Sequence, residues 1–309
     1  MNTTAGTTTT ALPLERTYGV GRRDITVVDT SRPTAASPKR GLAAKPSRTL
    51  PVMILYPTTG PSADPAPVKG AKVAPGRFPL VEFSHGVTAN GPIYTFYIRW
   101  LARAGYIVVA PTFPLTSGPG GWTDLADYKN QPADVSFVLT KILALDTTAG
   151  DPLRGHLEAS EVAVAGHSLG AITTFGFVNS CCVDKRVKAA IELSGVRLPF
   201  KGRDFPAGPP LPMLLIHGDA DPTVPYAGSA EAFAQMKGPL AFISDKHAGH
   251  TDVVAKQPYV QFSIDTAIGF LDLELRHDPT HWNALAAEFA KTEDATLSER
   301  GRLPAPGHA

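Results

Sequence analysis

The stretch Val162 to Gly176, VAVAGHSLGAITTFG, changes its apolar period in mid-course. Val162 and Val164 belong to a short apolar run suited to a buried strand, whereas Leu169 to Phe177 reads as a helix packed on a sheet. A Gly-x-Ser-x-Gly sequence at that junction makes a sharp strand-to-helix turn. There Gly166 and Gly170 permit a close backbone approach that a side chain would block. Ser168 then stands at the helix N-terminus, where free amides and the helix dipole favour developing negative charge. Two readings compete, a nucleophile and a serine in a turn, and the rest of the chain must decide between them.

Working outward, strand and helix patterns alternate. Strands are expected at "PLVEFSH" (Pro79–His85), "YIVVAP" (Tyr106–Pro111), "EVAVAG", "VKAAIELS" (Val187–Ser194), "PMLLIHG" (Pro212–Gly218) and "LAFIS" (Leu240–Ser244). Helices are expected near Tyr94–Ala104, Pro132–Leu145, from Leu169, near Ala227–Met236 and near Val260–Leu275. Such alternation implies an α/β fold with a mostly parallel sheet and helices on both faces, because right-handed crossovers need those helices. Before it, "DITVVD" and "LPVMILYP" read as two strands forming an antiparallel edge, separated by a Pro/Ser/Lys/Arg-rich loop. The expected organisation is a polar, poorly ordered tail over 1–20, one domain over 21–276, and a C-terminal helical extension and tail over 277–309.

Composition narrows the function classes. The chain has 309 residues, 43% hydrophobic and 18% charged, with 29 basic against 28 acidic residues. That balance offers no field to recruit nucleic acid or an anionic membrane surface. No apolar run approaches the length of a membrane span. The N-terminus lacks the basic and apolar regions of an export signal, which reads as cytoplasmic by default and as secreted if a leader has been removed. Oligomeric state is not legible. Cys181 and Cys182 are adjacent, so a bridge between them would close almost no chain, and two free thiols are expected.

Ligand and catalytic groups in such sheets sit beyond the carboxyl ends of the strands. Ser168 follows one strand, "HGDADPTVP" (His217–Pro225) carries Asp221 after a later one, and "SDKHAGHTD" carries His247 and His250 after another. Hydroxyl attack on an acyl carbon needs an imidazole to take the proton and a carboxylate to fix that imidazole's tautomer. The chain order Ser168, Asp221, His250 suits this chemistry.

These motifs resemble the α/β-hydrolase superfamily: "GHSLG" is similar to its nucleophile elbow, "HGDADPTVP" to its acid turn and "AGHTD" to its histidine loop. Within it, "FSHGVTANGPIYTFYIRWLARAGYIVVAPTFP" resembles the platelet-activating-factor acetylhydrolase-like and bacterial cutinase or polyesterase branch. The resemblance spans roughly residues 20 to 275. It implies an α/β-hydrolase fold and a serine esterase with Ser168 as nucleophile, His250 as base, Asp221 as acid and no cofactor. The chain departs from cutinase-type polyester hydrolases, which carry methionine and paired glycines where it has Leu169, Gly170 and Ala171. Val87 likewise replaces their aromatic residue.

The backbone N–H groups of Val87 and Leu169 are expected to form an oxyanion hole, against a plain strand-end turn. His85 is expected to hold that loop structurally, and His167 to pack. Asp219 and Glu192 compete with Asp221 as the acid. His247 competes with His250, and His247-x-x-His250 lacks the further ligands of a metal site. Trp122 and Tyr128 are candidates for a substrate pocket, against loop aromatics covering a core edge. Seventeen residues, Ser194 to Pro210, separate two strands where related enzymes insert a cap, too few for a multi-helix lid. An open cleft for short to medium acyl esters or polyester oligomers is therefore expected. The alternatives are a thioesterase, amidase or other acyl-transfer enzyme on the same triad, and a non-enzymatic ligand-binding homologue.

Overall fold

Where the apolar runs are continuous, the chain builds the middle of a sheet. Every residue of β4 (Phe78–Ser84), β5 (Ile107–Pro111) and β8 (Met213–Gly218) is buried, as strands covered on both faces must be. With β6 (Leu157–His167), β7 (Val187–Leu193) and β9 (Leu240–Asp245) they pair in parallel, in the order β9-β8-β7-β6-β4-β5. The computed structural model describes residues 18–60, 66–118, 123–178, 181–200 and 211–301. Residues 1–17, Trp122, 201–210 of the expected lid-less link and 302–309 lie outside the described residues.

Beyond β5 the sheet continues antiparallel through β2 (Arg48–Thr58) and β1 (Gly19–Asp29), and ends on the two-residue β3 (Val68–Lys69). The antiparallel edge is thus present, with β1 starting five residues before "DITVVD". At the opposite edge β10 (Ala295–Arg300) pairs antiparallel with β9. The expected helical extension therefore contains α7 (Thr280–Phe289) and then a strand. Its sequence, ATLSER, carries little apolar alternation because only Ala295 is fully buried at this edge.

The helices are α1 (Thr95–Arg103), α2 (Gln131–Ala144), α3 (Leu169–Val178), α4 (Ala227–Gln235), the short α5 (Asp252–Ala255) and α6 (Tyr259–Arg276). Side-chain alternation along each strand divides the core into two layers. Val81, Phe83, Ala163, Ala165, Leu214 and Ile216 pack with α1, α6 and α7. Leu80, Val162, Val164, Met213 and Leu215 pack with α2, α3 and α4 on the other face. All ten residues of α3 are buried, as befits a helix that is apolar all round.

Arg48, 1% exposed, is the largest fully buried side chain and bridges Asp127 and Asp134 at 2.8 and 2.6 Å. Both carboxylates satisfy one guanidinium, which anchors the turn 125–130 and the start of α2 beneath the site. The two cysteines are a correction to the sequence reading: Cys181 and Cys182 are bridged to each other. A negligible closed loop means that the bond adds little unfolded-state entropy, and says nothing against its forming between neighbours whose Cα atoms lie 3.8 Å apart.

Candidate active site

The elbow at Ser168 is built by close backbone contact. A Cβ on Gly166 would lie 2.3 Å from the Gly170 carbonyl carbon, and one on Gly170 would lie 2.0 Å from Ser84 O. Only glycines let β4, β6 and α3 converge this tightly. Ser168 is held at φ 58°, a left-handed conformation unusual for serine and typical of strained functional turns. Its N–H donates to Leu193 O at 2.9 Å, and its carbonyl accepts the Ile172 N–H at 3.1 Å, closing the first turn of α3.

Three chain segments meet at this serine. His250, in the loop after β9, places Nε2 2.9 Å from Ser168 Oγ and Nδ1 2.7 Å from Asp221 Oδ2. Asp221 follows β8 and its side chain is fully buried, while that of His250 is 13% exposed. Asp221 Oδ1 accepts the N–H groups of Thr223 and Val224 at 2.7 and 2.9 Å. Burial raises the Asp221 pKa, but the donors from Val224, His250 and Thr223 outweigh it and leave the carboxyl below its ordinary value. The arrangement can pass a proton from Ser168 to His250 while a carboxylate holds the imidazole in the Nδ1–H tautomer.

The rival residues do other things. Asp219 Oδ1 accepts the backbone N–H of His247, which is exposed and at φ 64°. Glu192 is buried at the end of β7, where its carboxyl accepts the Gly195 N–H and lies 3.1 Å from Ser229 Oγ. Neither carboxyl has a hydrogen bond to His250 among those described.

His85 donates Nδ1–H to Gly86 O at 2.7 Å, since its Nε2 accepts the Phe113 N–H at 3.0 Å. Burial lowers its pKa to about 4, so the ring stays neutral. Gly86 C=O and Val87 N–H share one planar trans peptide, so fixing the carbonyl aims the amide the opposite way. Gly86 sits against the elbow, where a Cβ would come 3.2 Å from Ser168 Cβ. Val87 packs beside Leu169, Ile172, Tyr128 and Phe200, with Cys181 and Cys182 against the same cluster. Tyr128 is buried there, donating its hydroxyl to Pro199 O at 2.6 Å.

His167 does more than pack. Its Nε2–H donates to the His250 backbone carbonyl at 2.9 Å, and its Nδ1 accepts the Tyr94 hydroxyl at 2.7 Å. Tyr94 Oη in turn accepts the Gly86 N–H at 3.2 Å. One neutral imidazole, its pKa lowered by burial to about 4, therefore ties the histidine loop to the loop bearing Val87. Tyr94, His217 and Ser229 were not singled out from sequence; the only local signal was His217 four residues before Asp221. Among the described residues no three His, Cys, Asp or Glu side chains converge as a metal site, and no helix is long and apolar enough to cross a membrane.

Comparison with known proteins bears on this geometry. The family model described as Chlorophyllase matches residues 51–196, which take in the Val87 loop and the elbow but neither Asp221 nor His250. Platelet-activating factor acetylhydrolase from Cavia porcellus is 25% identical over 217 residues, covering 58% of this chain. The chain spans about half the length of that relative, 48%. A ferulic acid esterase from Streptomyces cinnamoneus shares the fold with a TM-score of 0.69 over 91% of this chain and 96% of that one, at 23% identity.

Proposed function

With a chain of α/β-hydrolase fold as the premise, we propose a serine hydrolase that cleaves carboxylic esters through an acyl-enzyme. The observation that carries this reading is the unbroken run of contacts from Ser168 Oγ through His250 to Asp221. Ser168 Oγ attacks the ester carbonyl as His250 Nε2 takes its proton, and Asp221 stabilises the imidazolium. The amides of Val87 and Leu169 receive the oxyanion; the second benefits from the N-terminus of α3. Collapse expels the alcohol, which leaves with the proton from His250. A water, deprotonated by the same nitrogen, then releases the acid and restores Ser168.

Short to medium acyl esters and soluble polyester oligomers are the proposed substrate class. The names of the chlorophyllase model, the acetylhydrolase relative and the ferulic acid esterase agree with an ester bond as the target. The test is turnover of p-nitrophenyl acetate and butyrate with a p-nitrophenol burst matching the enzyme concentration. Ser168→Ala should lower kcat/KM by about 10⁴-fold or more. A variant retaining a tenth of the rate would show that Ser168 is not the nucleophile, and a wild type inert toward a panel of esters and thioesters would favour a binding protein.

A further inference from the structure

Beyond Asp221 lie three fully buried polar side chains that the acyl-transfer steps do not use: His217 at the end of β8, Ser229 in α4 and Glu192 at the end of β7. His217 Nε2 is 3.1 Å from Asp221 Oδ2 and 3.1 Å from Val224 O. Both are acceptors, so that nitrogen carries a proton. His217 Nδ1 is 2.7 Å from Ser229 Oγ, and Ser229 Oγ is 3.1 Å from Glu192 Oε2 and 3.2 Å from Gly195 O. We propose that Glu192, Ser229 and His217 form a positioning relay in which a proton held on Glu192 keeps His217 neutral, so that Asp221 is steadied from behind without losing its charge to a second cation. The proposal rests on the reading of Asp221 as the acid of the Ser168 triad.

With the Ser229 hydroxyl in line between Glu192 and His217 rather than turned to Gly195 O, two arrangements remain. In one, protonated Glu192 donates to Ser229 Oγ, and the Ser229 hydroxyl donates to the bare Nδ1 of His217. In the other, Ser229 donates to an ionised Glu192, and Nδ1–H of an imidazolium donates to Ser229. Each holds one proton between Glu192 and His217, so they differ only in where it rests. Burial opposes both charges: it pushes Glu192 up to about 8, aided by the nearby Asp221 charge, and pushes His217 down. The titratable groups facing the pair are Asp221, His250, His167 and the Tyr226 ring, 5.9 Å from that of His217. Asp221 is the one carboxyl among them, and its pKa is lowered.

The neutral arrangement has a catalytic consequence. Asp221 Oδ2 accepts from both His217 and His250. When His250 becomes imidazolium it must draw on the Asp221 charge, and an imidazolium at His217 would already be sharing it. A neutral Nε2–H orients the same oxygen toward His250 while leaving that charge available.

Two measurements test the relay. In the ¹⁵N–¹H correlation spectrum of imidazole rings of the full chain at pH 7, His217 should show a neutral ring with the proton on Nε2; an imidazolium pattern or an Nδ1–H tautomer overturns the proposal. This readout holds whether or not any ester is turned over, so it is independent of the esterase reading, which Ser168→Ala tests by itself. In kinetics, Glu192→Gln keeps a donor toward Ser229 and should keep kcat/KM within about threefold while removing an alkaline limb from the pH profile. Ser229→Ala, which cuts the connection, should lower kcat about tenfold to a hundredfold with KM little changed. If Glu192→Gln loses as much as Ser229→Ala, or retains the alkaline limb, the proton on Glu192 is not what the site uses.

Discussion

Replacing Asp221 by asparagine changes one atom and confronts four donors with a single acceptor. Oδ1 accepts two backbone N–H groups, at 2.7 and 2.9 Å, and Oδ2 accepts His250 Nδ1–H and His217 Nε2–H, at 2.7 and 3.1 Å. If the amide oxygen faces the histidines, its NH₂ opposes the N–H groups of Thr223 and Val224, which cannot reverse. If the NH₂ faces the histidines, His250 must turn to the Nε2–H tautomer and present a donor to Ser168, and His217 Nε2–H keeps only Val224 O. The first arrangement leaves two buried donors unpaired and the second one amide hydrogen, at about 1–3 kcal/mol each, so the variant takes the second and should lose about 1–3 kcal/mol of stability. Turnover should fall about 10⁴-fold, the cost of a wrong-tautomer base, equivalent to about 5 kcal/mol on the barrier. Urea unfolding measures the first and kcat/KM for p-nitrophenyl acetate the second. Asp219→Asn is the control: its carboxylate is bound to the exposed His247 amide, and activity should change by less than about threefold. An Asp221→Asn enzyme within tenfold of wild type, or an Asp219→Asn loss of equal size, would refute the reasoning.

Ser168→Gly should be more stable than Ser168→Ala by about 1 kcal/mol, since φ 58° costs glycine nothing, while both lack turnover; equal urea midpoints would mean the elbow is unstrained. Gly170→Ala drives a Cβ to 2.0 Å from Ser84 O and should cost about 3 kcal/mol, because backbone must move; a loss below about 1 kcal/mol would show a looser junction of α3 with β4. Tyr94→Phe strips partners from the buried Gly86 N–H and His167 Nδ1 and should cost about 2–4 kcal/mol and lower kcat more than it raises KM; an unchanged kcat would sever Tyr94 from the site. Between pH 6.5 and 8.5 stability should fall as pH rises. Burial raises Glu192, Asp245 and Glu274 to about 8, 7 and 7, so the folded state keeps protons that the unfolded chain has released. Each carboxyl still protonated contributes a slope of about 1.4 kcal/mol per pH unit. His85 and His167, lowered to about 4, oppose this only below about pH 6.5, where the unfolded chain binds their protons. A urea midpoint that stays flat or rises across the window contradicts the assignment.

The central sheet was legible because strand and helix periods are local: β4, β5, β8 and the second half of β6 are short apolar runs whose burial follows from their own residues. So was the elbow, since the steric demand on Gly166 and Gly170 falls on residues four apart and on a turn that few sequences make. The succession Ser168, Asp221, His250 marked the strand ends to watch, and the structure brings these three side chains into one hydrogen-bonded line. β10 was not legible, because a polar edge strand owes its pairing to β9 rather than to its own pattern. Nor could any sequence period disclose that Tyr94 meets His167 across 73 residues, or that Ser229 meets Glu192 across 37. A hydrogen bond forms between side chains that packing has already brought within about 3 Å, and a buried polar group takes whichever partner the fold leaves it. The sequence by itself therefore determined which residues have the chemistry for the site. Only the packing of β7, β8 and α4 decided that Glu192 lies behind the acid, three hydrogen bonds removed from it.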